Sequence, residues 1–137
     1  MDVTLQQPAR ARLITAEERD RPVPVSLRYA SADPLAVHVA FPPEVTLAGE
    51  EAVWSFAREL LAEGLRTPAG TGDVHIWPCG ALRTVVEFHE AEGLALVQFD
   101  TAALQRFLLR TYAVVAPGEE DLGPVLEREL TVLLGEV

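Results

Sequence analysis

The order of elements is decided by residues 56–78, which have the sequence FARELLAEGLRTPAGTGDVHIWP. Leu60 and Leu61 follow helical apolar spacing and Gly64 can end a helix, so the pattern predicts a helix over 57–63. Residues 68–72 are rich in Pro and Gly and predict a turn, after which residues 73–77 alternate as a strand does. Residues 51–56 fit either a helix or a buried strand, and periodicity leaves them open.

Outward from this stretch, apolar residues alternate with period two in further predicted strands. These strands lie at 10–15, 23–29, 37–41, 83–89 and 94–99. Residues 1–10 are polar enough to be loose.

Two helices are predicted in the C-terminal third of the chain. One carries an inward stripe of Leu104, Phe107, Leu108 and Thr111 with Asp100 as a possible N-cap, and the last runs over 121–135. Strands, a short helix, more strands and two helices predict an α+β fold, antiparallel β-sheets packed with helices in the order ββββα-βββαα.

The strands on either side of residues 80–82 have a predictable register, because a slip of one residue would turn every side chain to the other face. A three-residue loop pairs Val74 with Phe88 and Ile76 with Val86 on the apolar face. The opposite face then pairs Asp73 with His89 and His75 with Glu87. The apolar face alone sets the register, so the charge complementarity of the opposite face supports it independently.

Composition narrows the class of protein. The 137 residues are 49% hydrophobic and fit one domain, 1–137, and the longest apolar run, residues 112–116, is too short to span a bilayer. The start lacks the pattern of a secretion signal, which with the single cysteine predicts a cytoplasmic protein. Eleven basic residues, all arginine, against 21 acidic ones give a net charge of −10, which disfavours nucleic acid as a partner.

No constellation in the sequence indicates catalysis, a metal or a cofactor. Asp73, His75 and Cys79 share one strand face, but residues four apart on a strand are about 13 Å apart, too far for a base to reach its nucleophile. His38, His75 and His89 lie in separate segments without the spacing of a ligand motif. We therefore expect a protein that is not an enzyme and that binds neither a metal nor a cofactor.

Two groups of residues resemble the signatures of the SsgA-like proteins, which are sporulation and cell-division regulators of actinomycete bacteria. The first consists of Leu27-Arg28-Tyr29, Asp33-Pro34, Ala36-Val37-His38 and Phe41. The second consists of residues 56–65, Pro68, Gly70, Gly72-Asp73-Val74 and Ile76-Trp77-Pro78, and a weaker patch follows at 107–111 and 117–119. Leu35, Glu59 and Cys79 depart from the usual pattern and leave the subtype open.

The resemblance implies a fold similar to the whirly single-strand-binding proteins, with two antiparallel sheets and helices, assembled as a trimer. It makes 50–57 a strand and 58–65 a short helix. It also implies a non-enzymatic adaptor, recruited to the division septum, that helps place the division GTPase FtsZ or septal wall machinery and contacts paralogous family members. Arg58, Glu59 and Glu63, expected on the outer side of the short helix, are the candidate partner-binding residues. The alternative is a single-stranded nucleic-acid-binding module.

Overall fold

The structure is a computed structural model that describes residues 2–14, 21–46, 49–90 and 93–120. Its elements follow in chain order: β1 (Thr4–Ile14), β2 (Arg21–Ala30), β3 (Asp33–Phe41), β4 (Ala52–Ala57), α1 (Arg58–Gly64), β5 (Val74–Cys79), β6 (Arg83–Glu90), β7 (Gly93–Asp100) and α2 (Thr101–Val114). A 3-10 turn, Pro43–Val45, lies between β3 and β4. The α+β class and the predicted order are confirmed through α2, and the helix predicted over 121–135 lies outside the described residues.

The strands form one antiparallel sheet rather than the two sheets that the resemblance implied. Within the described residues, its seven strands have the order β4-β3-β2-β1-β7-β6-β5. β1 makes it continuous, because this strand pairs along its length with β2 and through four register pairs, residues 11–14 with 96–99, with β7. The sheet curls until Phe88 of β6 meets Trp54 of β4, with ring centroids 5.0 Å apart.

The N-terminal segment forms a strand from Thr4 onwards, so the expectation that the chain is loose before residue 10 is wrong for residues 4–10. Thr4 pairs with Ala30, and the ladder with β2 runs on to Leu13. The polar residues misled the prediction because every second side chain of β1 faces outward, while Gln7 and Ala11 between them are buried. A strand with one solvated face is half polar.

The predicted hairpin register is confirmed. Val74 pairs with Phe88, His75 with Glu87 and Ile76 with Val86, and the backbone N–H of His89 donates to Asp73 O at 2.8 Å. The ambiguous segment before α1 is a strand, as the resemblance implied, and its partner is β3.

The core lies inside the curl and is closed by α1 and α2. α2 buries the four residues of its predicted stripe, Leu104, Phe107, Leu108 and Thr111. Asp100 precedes the helix as predicted but does not cap it with its side chain, because its carboxylate binds Arg83 at 2.6 Å. Among the described residues, no helix is long and apolar enough to cross a membrane.

Candidate functional site

α1 connects the two edge strands of the sheet, β4 and β5, and closes one side of the core. Seven residues are too few for a stable isolated helix, so its conformation depends on packing. Gly64 is buried against β5: a Cβ atom added there would lie 2.4 Å from Ile76 Cβ. Gly64 therefore allows the close approach of α1 to β5, and its φ is not positive, unlike that of many helix-ending glycines. Gly70, with φ of +116°, has the conformational role instead.

Arg58, the first residue of α1, has its guanidinium buried among three elements. Only 2% of the residue is exposed. Its Nη1 donates to Thr111 O at 3.2 Å and Val115 O at 2.6 Å, at the end of α2, and Nη2 binds the Glu120 carboxylate at 2.7 Å. The expectation that Arg58 lies on the outer side of the helix is therefore wrong, since its side chain joins α1 to the end of α2.

Aromatic rings and a neighbouring acid complete the surroundings of Arg58. The guanidinium carbon lies 5.1 Å from the Tyr29 ring centroid and 5.0 Å from that of Tyr112, within the range of cation–π attraction. Burial raises the pKa of Tyr29, whose hydroxyl donates to Pro34 O at 2.9 Å. The hydrogen bond from Arg58 lowers the pKa of Glu120. The charge of Arg58 is thus matched within the fold.

Glu59 and Glu63, the other two candidate partner-binding residues, are exposed as expected. They are four residues apart and so share one face of α1. Within the described ranges, neither carboxylate forms an ion pair. The outer face of the helix therefore presents two acidic groups that are available to another molecule.

A Ser–His–Asp arrangement, which sequence analysis did not anticipate, lies on the outer face of β3 and β4. His38 Nδ1 is 2.6 Å from Ser55 Oγ, and its Nε2 is 3.5 Å from Asp33 Oδ2. Acyl transfer also needs backbone N–H groups aimed at the developing oxyanion. Here the Ser55 side chain stands perpendicular to the sheet, whereas strand N–H groups lie in its plane. The arrangement is a surface hydrogen bond between His38 and Ser55, with the Asp33 carboxylate nearby.

A second histidine group lies on the outer face of the β5–β6 hairpin. One ligand atom each from His75, Glu87 and His89 lies within 4.8 Å of the others. His89 also hydrogen-bonds Glu87, and the two imidazole centroids are 5.4 Å apart. The spacing of these residues along the chain does not reveal the group, although the predicted β5–β6 register already places all three on one face.

Comparison with known proteins gives a consistent result. Residues 23–120 match the family model described as Streptomyces sporulation and cell division protein, SsgA. The sporulation-specific cell division protein SsgB of Streptomyces coelicolor is 43% identical, with 99% of each chain covered, and that of Salinispora tropica is 45% identical over 85% of this chain and 83% of its own.

Solved structures of two relatives share the fold. A structure of SsgB from a study of longitudinal cell division during sporulation of Streptomyces coelicolor has a TM-score of 0.78 at 41% identity, covering 88% of this chain and 94% of that one. The SsgA-like sporulation-specific cell division protein of Thermobifida fusca has a TM-score of 0.77 at 30% identity, covering 96% and 94%.

Proposed function

Because the chain belongs to the SsgA family of sporulation and cell division proteins, we propose that it is a non-enzymatic adaptor of septum formation. In this proposal it is a cytoplasmic protein recruited to the division septum, where it helps place FtsZ or septal wall machinery. The observation that carries the proposal is the pair of exposed carboxylates, Glu59 and Glu63, on a helix whose other face is fixed in the core.

The position of Glu63 supports binding rather than a role in the fold. Two like charges four residues apart destabilise a helix by about 0.2–0.5 kcal/mol. Glu63 also lies at the C-terminal end of α1, where the helix dipole disfavours negative charge, and the last turn has no basic residue. A cationic patch on the partner would offset both the repulsion between the two carboxylates and the unfavourable interaction of Glu63 with the helix dipole. Arg58 positions the helix from within and leaves the contact itself to Glu59 and Glu63.

Co-sedimentation with assembled FtsZ tests the proposal. Glu59→Lys/Glu63→Lys should abolish sedimentation with the polymer at micromolar concentrations, because it replaces both carboxylates with like charges facing a cationic patch. Glu44→Lys/Glu119→Lys is the matched control, since it makes the same change in net charge at two other exposed acidic residues. If both double variants lose binding to the polymer equally, the loss is caused by the change in net charge and not by contact through Glu59 and Glu63.

If the wild-type chain does not bind FtsZ, binding to septal wall proteins and to paralogous SsgA-like proteins is measured with the same two double variants. Binding to none of these at micromolar concentrations would contradict the adaptor proposal.

Assembly as a homotrimer is part of the same proposal. Large apolar side chains are exposed on the strands at Leu35, Val53 and Leu94, and burial of such side chains in a subunit interface would be favourable. Light scattering coupled to size exclusion should give a mass three times 14.9 kDa. A monomer at all accessible concentrations would remove the trimer from the proposal.

Binding of single-stranded nucleic acid is the alternative, and the outer face of β1 with Arg10 and Arg12 is where it would occur. The net charge of −10 opposes it, since phosphate contacts supply most of such affinity. Fluorescence anisotropy with labelled oligonucleotides in low salt should stay flat. A rise that fades steeply with added salt would establish the alternative.

A further inference from the structure

We propose that His75, Glu87 and His89 form a binding site for one Zn²⁺ ion on the outer face of the β5–β6 hairpin. The three residues come from two adjacent strands: His75 and Glu87 are cross-strand partners, and His89 follows two residues after Glu87 on the same face. This inference is independent of the adaptor proposal, since it concerns a different surface. α1 packs against Ile76 on the inner face of β5, whereas the neighbouring His75 projects to the opposite side.

The donor set matches the chemistry of zinc. Imidazole nitrogen and carboxylate oxygen are two of its three common protein ligands, and two histidines with one glutamate leave a fourth tetrahedral position for water or for a group from another molecule. Two imidazoles also select against Mg²⁺ and Ca²⁺, which prefer sites made of oxygen ligands. Cys79 is not a member of the site, because it is four residues beyond His75 on an extended strand, about 13 Å away.

The geometry needs only a small adjustment to hold the ion. Ligands about 2.0–2.1 Å from a tetrahedral zinc are about 3.4 Å from one another. The three ligand atoms already lie within 4.8 Å of one another. The two strands fix the backbone through their ladder, and 45% of the His89 side chain is exposed, so side-chain rotation can make up the difference.

A competing account needs no metal. His89 and Glu87 are hydrogen-bonded, and the edge of one imidazole approaches the other ring, with an interplanar angle of 62°. On that account the group is an ordinary surface contact. The two accounts differ in one measurable property, which is saturable binding of Zn²⁺ at a stoichiometry of one ion per chain.

Isothermal titration of the full, untagged chain with zinc chloride distinguishes the two accounts. Cys79→Ser is the background for every variant, because an exposed free thiol binds zinc by itself. We expect one ion per chain with a dissociation constant in the low-micromolar range or tighter, and no heat of binding with magnesium chloride. Absence of saturable binding, or binding of magnesium at the same site, would overturn the proposal.

Variants assign the ligands. His75→Ala and His89→Ala should each weaken zinc binding by at least about tenfold, since loss of outer-shell partners alone has effects of that size. His38→Ala is the matched control, because it removes the third histidine, which lies on β3 outside the group, and it should leave the affinity unchanged. An equal loss in His38→Ala would contradict the assignment. Far-UV circular dichroism of the metal-free variants verifies that they fold. His89→Ala does not disturb the core, because the His89 side chain is half exposed.

Two further readouts are independent of the heat of binding. Cobalt(II), a spectroscopic substitute for zinc, should show the intense visible absorption of a tetrahedral site in the Cys79→Ser chain and lose it in Glu87→Gln. Zinc at 100-fold its dissociation constant should raise the thermal midpoint by roughly 5–10 °C, as expected for a ligand that binds only the folded chain. An octahedral cobalt spectrum with an unchanged midpoint would count against the site.

Discussion

The two faces of α1 have opposite relations to the rest of the molecule. The inner face buries Arg58, Leu61 and Gly64 against both ends of the sheet and the end of α2, whereas the outer face exposes Glu59 and Glu63 without an ion pair among the described residues. In sequence, Arg58 cannot be told apart from Glu59 and Glu63 as a surface residue, because all three are charged residues of one short helix. The difference teaches that charge alone does not mark a binding residue, because the burial of Arg58 assigns it to the fold.

The largest effect should come from adding one methyl group on the inner face. Gly64→Ala places a Cβ atom 2.4 Å from Ile76 Cβ, and neither the helix nor the strand can move without breaking other contacts. Urea denaturation should show a loss of about 4 kcal/mol in the free energy of unfolding, above the roughly 1–3 kcal/mol typical of overpacking, because the clash is with the Cβ of a fully buried side chain.

Gly72→Ala is the control for this change, since a Cβ atom at Gly72 has nothing within 4 Å. It should alter the free energy of unfolding by no more than about 0.5 kcal/mol. Equal stability of the two alanine variants would show that α1 is not held against β5 by close contact.

Removal of the buried cation should have the next largest effect. Arg58→Ala removes the guanidinium that donates to Thr111 O and Val115 O and leaves the Glu120 carboxylate without its cation, and the expected loss of stability is about 3 kcal/mol. Arg58→Lys should recover only part of it, because one ammonium cannot reproduce the fork of the guanidinium. Urea denaturation at neutral pH measures both.

Arg28→Ala is the surface counterpart. Arg28 pairs with Glu51 at 3.1 Å, but about a third of its side chain and half of that of Glu51 are exposed. Its loss should cost much less than the loss of Arg58. A comparable cost for the two variants would refute the assignment of Arg58 to the core.

The contribution of Glu120 to the free energy of unfolding should decrease as the pH is lowered. Its pKa is lowered in the folded protein by the hydrogen bond from Arg58, so its stabilisation is complete above the ordinary glutamate pKa and is lost as the pH falls through the lowered value. Wild type should therefore be more stable than Glu120→Gln at pH 7, with the difference shrinking towards pH 3. Urea midpoints at both pH values measure this, and a constant difference would contradict it.

The smallest effect on stability should come from the outer face. Glu59→Lys/Glu63→Lys should change the free energy of unfolding by no more than about 0.5 kcal/mol, because neither carboxylate has a partner among the described residues. Thermal denaturation followed by circular dichroism measures it. A large loss would mean that these residues serve the fold, and the loss of partner binding in this variant could then not be assigned to contact.

Local patterns in the sequence predicted most of the strands and the inward stripe of α2, because both follow from periodicity. The β5–β6 register was also predictable, since the buried face and the odd loop fix it. Arg58 was misassigned because its burial depends on Tyr29, Tyr112 and Glu120, which are distant in the chain and meet it only in the folded protein. For the same reason local patterns could not predict a single sheet, which depends on the pairing of β1 with β7.

The pairing of β1 with β7 also determines how the chain can fold. The other neighbours in the sheet are consecutive strands, whose hairpins close short loops, whereas residues 11–14 must find residues 96–99 across most of the chain. Loop closure over that distance costs the most entropy and is repaid by only four register pairs. The two groups of consecutive strands, β1–β4 and β5–β7, are therefore expected to form first and to join last, through the pairing of β1 with β7. The pairing of β1 with β7 should then also open first, so its amide hydrogens should exchange at a lower free energy of opening than those paired within β1–β4 or within β5–β7.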